Sequence, residues 1–231
     1  MRRTQERRWS PALGRDMELI RFGEHGRPFI AFPISMGDCR LWEENGLVAS
    51  LAGAIDGGHM QLYCVDSVDA ESWYDESQPP QARVRRHLQY ERYILDEVLA
   101  GVDEPPVCVG TSFGALHAAL MCLRHPSRFR GFVALSGVFD TSRWLDGYHA
   151  DETYFTNPLA FVPGLHEERH LQPLRAMSPK VIVTGTEDPN VGESVALADA
   201  LRERGVDVRL DLWSGWLHDW PYWKEMLQAY V

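Results

Sequence analysis

Residues 108 to 120 read CVGTSFGALHAAL. Ser112 stands between Gly110 and Gly114 in a G-x-S-x-G pattern, with an apolar run before it and a helical pattern after it. A serine hydroxyl is a poor nucleophile unaided; it needs a base to take its proton and an acid to orient that base. The pattern supplies a sharp strand-to-helix turn, with small residues on both sides because the backbone packs closely there. Phe113 opens the helix, so its N–H faces the place where negative charge develops when a serine attacks a carbonyl. The chemistry such a serine does is acyl transfer. The alternative is a tight Gly-rich bend that binds nothing.

The partners must come later in the chain, in the order serine, acid, histidine. The apolar run KVIVTG (180–185) is followed at once by TEDPN, which offers Glu187 and Asp188. Asp188 is favoured, since it precedes a proline in a loop clear of the strand end. Glu187 is the reserve, and Asp140, just after GFVALSG, is a rarer choice. The base should follow the last strand. His218, in W-L-H-D-W between VDVRLDLW and the final helix, fits in order and position. Among the other histidines, His25, His59 and His87 read as surface residues, and His117 as packing one turn into the helix after Ser112. The second N–H donor to an oxyanion should come from the loop after PFIAFPIS, where Met36 and Gly37 are both candidates.

These residues need a scaffold. Short apolar runs rich in Val and Ile recur at 17–22, 28–35, 61–67, 105–110, 131–137, 180–185 and 206–213. Such runs are the mark of strands buried on both faces, as in a parallel sheet. Helical spacing lies between them, at 44–56, 83–101, the stretch after Ser112, 191–205 and the C-terminal PYWKEMLQAYV. Alternating strand and helix predicts an α/β fold with a mostly parallel sheet. MELIRF and PFIAFPIS, joined by GEHGR, predict an antiparallel hairpin at the N-terminal edge. The whole chain, 1–231, reads as one domain. Residues 138–179 break the alternation with aromatics, Asp and Pro, and read as a small cap-like insertion over the strand ends.

Composition narrows the classes. The 231 residues carry a net charge of −10, which argues against nucleic acid or an anionic membrane as partner. MRRTQERRWS is not followed by an apolar stretch, so no signal peptide is expected. No run of about 18 apolar residues exists to span a bilayer. Four scattered cysteines without a C-x-x-C pair read as reduced core thiols of a cytoplasmic protein. His166-Glu167-Glu168-Arg169-His170 matches the zinc pattern H-E-x-x-H, but it lies between Pro163-Gly164 and Pro173 without an apolar stripe. It reads as a solvated helix, and neither a metal nor another cofactor is expected. Aromatics near the expected strand ends (Trp42, Trp73, Tyr74, Trp144, Tyr148 and Trp216) fit an acyl or aryl pocket, with Trp73 the candidate substrate-binding residue.

The chain resembles the putative-esterase, esterase D-like branch of the α/β-hydrolases. The resemblance runs over almost the whole chain, through RRWSPALGRDMELIRFG, FPISMGD, LYCVDSVDAESWY, QYERYILDEVL, GTSFGALHAAL with its LRHP ending, and LHDWPYW. It implies a three-layer α/β-hydrolase fold, a triad of Ser112, Asp188 and His218, and oxyanion donors at Phe113 and near Met36. It implies a serine carboxylic-ester hydrolase acting on small-molecule esters. An acyltransferase or thioesterase would use the same groups, and a silent binding protein would keep only the fold. One departure stands out: the oxyanion loop reads Ser-Met-Gly where many relatives have His-Gly or Gly-Gly.

Overall fold

The computed structural model describes residues 1–231. Eight strands form one sheet in the order β1-β2-β4-β3-β5-β6-β7-β8. They are β1 (Arg3–Ser10), β2 (Arg15–Phe22), β3 (Arg27–Phe32), β4 (Met60–Val65), β5 (Val107–Thr111), β6 (Gly131–Leu135), β7 (Lys180–Gly185) and β8 (Arg209–Trp213). From β4 through β3 to β8 every pairing is parallel, while β1–β2 and β2–β4 are antiparallel.

The antiparallel edge differs from the expected hairpin. MELIRF pairs with β1 and β4, not with PFIAFPIS, which lies inside the parallel part between β4 and β5. The hairpin is instead β1–β2, in register Arg3 opposite Phe22 to Ser10 opposite Arg15. Strand β1 (RTQERRWS) buries only Ser10, so it has no apolar face to betray it in sequence.

Ten α-helices flank the sheet: α1 (Leu41–Glu44), α2 (Leu47–Ser50), α3 (Ala52–Asp56), α4 (Pro80–Tyr93), α5 (Phe113–Arg124), α6 (Asp151–Phe155), α7 (Pro158–Phe161), α8 (Glu168–Ala176), α9 (Val191–Glu203) and α10 (Trp220–Tyr230). The helix expected over 44–56 is three short pieces, broken where Gly46 takes φ 77°. The period-2 alternation of the strands sorts the core into two layers. On one face Ile30, Phe32, Cys108, Phe132, Ala134 and Ile182 pack against residues of α4, α5, α8 and α9. On the other, Ala31, Val109, Val133, Leu135 and Val183 meet Trp42, Leu47, Trp223 and Leu227. The arrangement is the α/β-hydrolase fold. All four cysteines are free and buried in it, and no helix is long and apolar enough to cross a membrane.

Residues 138–179 are not a uniform lid. Trp144 borders the region above the strand ends, packing edge-on to Phe113 at 5.1 Å. Phe161, Val162, Leu171 and Leu174, further along, belong to the main core.

Candidate active site

Ser112 sits between β5 and α5 at φ 55°, ψ −122°, a conformation that L residues avoid. Holding it costs on the order of 1–3 kcal/mol, which the packed surroundings must supply. Two close approaches explain the flanking glycines. A Cβ on Gly110 would lie 2.1 Å from the Gly114 carbonyl oxygen, and one on Gly114 would lie 2.5 Å from that of Phe32. The bend therefore closes on itself and on the end of β3. The Ser112 N–H donates to the Leu135 carbonyl at 2.9 Å, tying the bend to β6.

His218 lies in the loop between β8 and α10. Its Nε2 is 2.9 Å from Ser112 Oγ, and its Nδ1 is 2.9 Å from Asp188 Oδ2. The ring packs edge-on against Trp223 at 4.8 Å, so α10 fixes its plane. The loop is pinned to the end of β7: a Cβ on Gly185 would lie 1.9 Å from the Trp216 carbonyl, and the Glu187 N–H donates to that carbonyl. The Gly215 N–H donates to Thr186 Oγ1 at 2.8 Å. The loops bearing Asp188 and His218 are thus one packed unit.

The Asp188 side chain is fully buried, while that of His218 keeps 25% of its surface. Burial alone would push the Asp188 carboxyl up. The hydrogen bonds from His218 and from the Asn190 backbone N–H outweigh it and hold the group below the usual carboxylate range. Asp188 is therefore charged, and its other oxygen accepts from Asn190, which fixes its orientation. Glu187 is exposed. Asp140 caps the turn at Thr141–Trp144, accepting from the Ser142 N–H and from Asn157 Nδ2, and does not join His218.

Phe113 is the first residue of α5, so its N–H has no partner within the helix. Of the two candidates in the loop after β3, Gly37 is already occupied: its N–H donates to the Ile34 carbonyl at 2.9 Å. Its Cβ position is filled, 2.8 Å from Leu41 and 2.9 Å from Pro33, so the glycine serves the tight turn. The Met36 N–H makes no hydrogen bond, and Met36 takes φ 54° with 60% of its surface exposed. Ser67 Oγ anchors the loop by donating to the Gly37 carbonyl at 2.7 Å.

Trp73 does not line this site. It is wholly buried, 5.0 Å from the His87 ring and within the cluster of Val84, Phe113, Leu116, Val138 and Leu145. The neighbouring Tyr74 is the half-exposed one, set edge-on to Phe113 at 5.4 Å and to Trp144 at 5.7 Å. His87 is also interior rather than on the surface, stacked on His117 at 5.5 Å. Its place follows from helical spacing: Val84, His87, Tyr90 and Ile94 share one face of the chain from α4 onward. His117 meets Asp69 at 3.0 Å, both buried. Nothing in the sequence flags that 48-residue link. His166 lies before α8 begins and His170 within it, and both rings bind backbone carbonyls, of Gly164 and Leu123.

Residues 73–223, which include the Ser112 bend and the two partner loops, match the prolyl oligopeptidase family. The chain belongs to this family. A search of curated protein sequences finds no match to the chain. A ferulic acid esterase superposes with a TM-score of 0.77 at 16% identity, over 99% of this chain and 95% of that one. An S-formylglutathione hydrolase from Agrobacterium tumefaciens also gives 0.77, at 14% identity, over 98% of this chain and 92% of that one. Another from Staphylococcus aureus gives 0.72 at 14%, over 99% and 94%. At these identities the likeness is one of fold. With the family match, it makes the chain a serine hydrolase of α/β-hydrolase architecture.

Proposed function

We propose that the protein hydrolyses short acyl esters of small molecules through an acyl-enzyme on Ser112. The observation that carries this is the unbroken line Asp188–His218–Ser112, with both hydrogen bonds at 2.9 Å. Charged Asp188 holds the Nδ1–H tautomer of His218, leaving Nε2 with its lone pair toward Ser112 Oγ. Ser112 attacks the ester carbonyl, and its proton passes to Nε2. The oxyanion is met by the N–H groups of Phe113 and Met36. His218 then gives its proton to the departing alkoxide, leaving the acyl group on Ser112. A water deprotonated by the same nitrogen attacks that acyl carbon, and Ser112 is restored with the acid released. Tyr74 and Trp144, edge-on to one another beside Phe113, and exposed Met36 and Leu217, next in sequence to Ser35 and His218, offer apolar contacts for a short acyl chain.

The test is hydrolysis of p-nitrophenyl acetate and butyrate by wild type and Ser112→Ala. A loss of several orders of magnitude in kcat is expected for the variant. Equal rates would remove Ser112 from the mechanism. The family match favours one second reading, cleavage of an amide bond next to proline by the same groups. Turnover of a prolyl β-naphthylamide faster than of the esters would decide for it. Added alcohols or thiols serve as a further check, since transfer outpacing hydrolysis would make the protein an acyltransferase.

A further inference from the structure

We propose that Tyr74 is a positioning residue for the oxyanion site, bridging the two segments that supply its N–H donors. The inference rests on the reading of Ser112 as nucleophile. Tyr74 Oη donates to Ser35 Oγ at 2.8 Å, and Ser35 directly precedes Met36. The ring of the same residue packs edge-on to that of Phe113 at 5.4 Å. One side chain therefore touches both segments, which are otherwise distant in sequence.

Tyr74 is itself fixed from behind. Its N–H donates to the Asp69 carbonyl at 3.0 Å, and the Asp69 carboxylate meets His117 Nε2 at 3.0 Å. His117 lies one turn along α5 from Phe113. The loop carrying Tyr74 is thus locked to the helix that starts at the nucleophile. From that frame the phenol reaches across to the Ser35–Gly37 turn. The turn needs such a restraint, because Met36 at φ 54° sits in a sparsely populated region and relaxes unless held. Burial pushes the Tyr74 hydroxyl pKa up, so the phenol remains a donor across the working pH range.

An oxyanion donor acts on charge that exists only in the transition state. Loosening its loop should lower kcat and leave KM nearly unchanged. Deleting one donor costs about 10²–10³-fold. Loosening should cost less, about tenfold.

The experiment measures kcat and KM on p-nitrophenyl butyrate for wild type, Ser112→Ala, Tyr74→Phe, Ser35→Ala, Ser35→Thr and the double variant Tyr74→Phe/Ser35→Ala. Affinity for a trifluoromethyl ketone, which forms an oxyanion adduct on Ser112, is measured in parallel. Tyr74→Phe keeps the ring against Phe113 and loses only the hydroxyl. About a tenfold loss of kcat is expected with KM within twofold, together with a matching loss of ketone affinity. Ser35→Ala should repeat both effects, Ser35→Thr should restore them, and the double variant should be no worse than either single. If Tyr74→Phe fails to fold, Ser35→Ala and Ser35→Thr, in a half-exposed turn, test the same hydrogen bond from its other end. Unchanged kcat, a change confined to KM, or additive losses in the double variant would overturn the inference while Ser112→Ala remains inactive. An active Ser112→Ala would overturn it together with the reading it rests on.

Discussion

Replacing His87 by phenylalanine should blunt the sensitivity of the protein to acid. The imidazole is fully enclosed, and neither ring nitrogen has a protein partner. Burial, and then the neighbouring His117, push its pKa from the ordinary 6.5 down to about 3. The unfolded chain takes up a proton at this residue below about pH 6.5, whereas the folded chain resists until about pH 3. Between those values the unfolded state binds more protons, so stability falls as pH falls. The loss is about 1.4 kcal/mol for each pH unit, or roughly 3 kcal/mol between pH 6.5 and pH 4. That is a large share of a typical total of about 5–15 kcal/mol. Phenylalanine keeps a flat ring against Trp73 and His117 and carries no proton to take. Urea unfolding at pH 7, 5.5 and 4 measures the difference, with the m-value checked for constancy. The wild type should lose about 3 kcal/mol more than the variant over this range. Parallel losses in the two proteins would show that His87 is protonated in the folded state and refute the reasoning.

Three further outcomes are expected. Asp188→Asn should fold normally and lose about 10⁴-fold in kcat, since its amide favours the wrong imidazole tautomer; Glu187→Gln should lose little, and the reverse pattern in an ester assay would move the acid to Glu187. Gly114→Ala should destabilise by on the order of 3 kcal/mol, because the new methyl meets the Phe32 and Pro33 carbonyls at 2.5 and 2.6 Å; a thermal melt within a degree of wild type would contradict the close packing of the bend. Glu91→Gln should cost roughly 3–5 kcal/mol at pH 7, because buried Glu91 accepts from Arg124 at 2.9 Å and meets His125 at 2.6 Å. Burial raises the Glu91 pKa, but those partners override it and bring it to about 2, so the advantage is present above pH 4.5 and fades toward pH 2. Equal stabilities of the two proteins at pH 7 would remove the pair from the account.

Much of the candidate site is legible in the sequence because its constraints are local. Gly110 and Gly114 announce a bend in which no Cβ fits, and the runs before TEDPN and WLHDW announce strand ends. Asp188 could be preferred to Glu187 on loop position, and the fold places one inside and the other out. The candidate oxyanion loop is legible only as a turn, and nothing in its sequence says that the Gly37 N–H folds back on Ile34 while that of Met36 stays free. Strand β1 escaped because an edge strand exposed on both faces carries no hydrophobic alternation. Trp73 directly follows a strand, where a substrate-binding residue would stand, yet large aromatics beside a site serve equally well as its packed floor. The Asp69–His117 and Tyr74–Ser35 contacts escaped for a different reason. Each joins segments tens of residues apart, and a sequence records such partners only as two ordinary polar residues.

The Ser112 bend and the loops bearing Asp188 and His218 follow β5, β7 and β8, strands linked through β6 by parallel pairing alone. Parallel pairing is the slow part of assembling a sheet, because each contact closes a long stretch of chain. Recovery of activity after dilution from denaturant is therefore a clock for the last registers to lock. Helix signals should return first and the fluorescence of the buried tryptophans next. Covalent capture of Ser112 by a fluorophosphonate should come only when β8 has docked and brought His218 within reach.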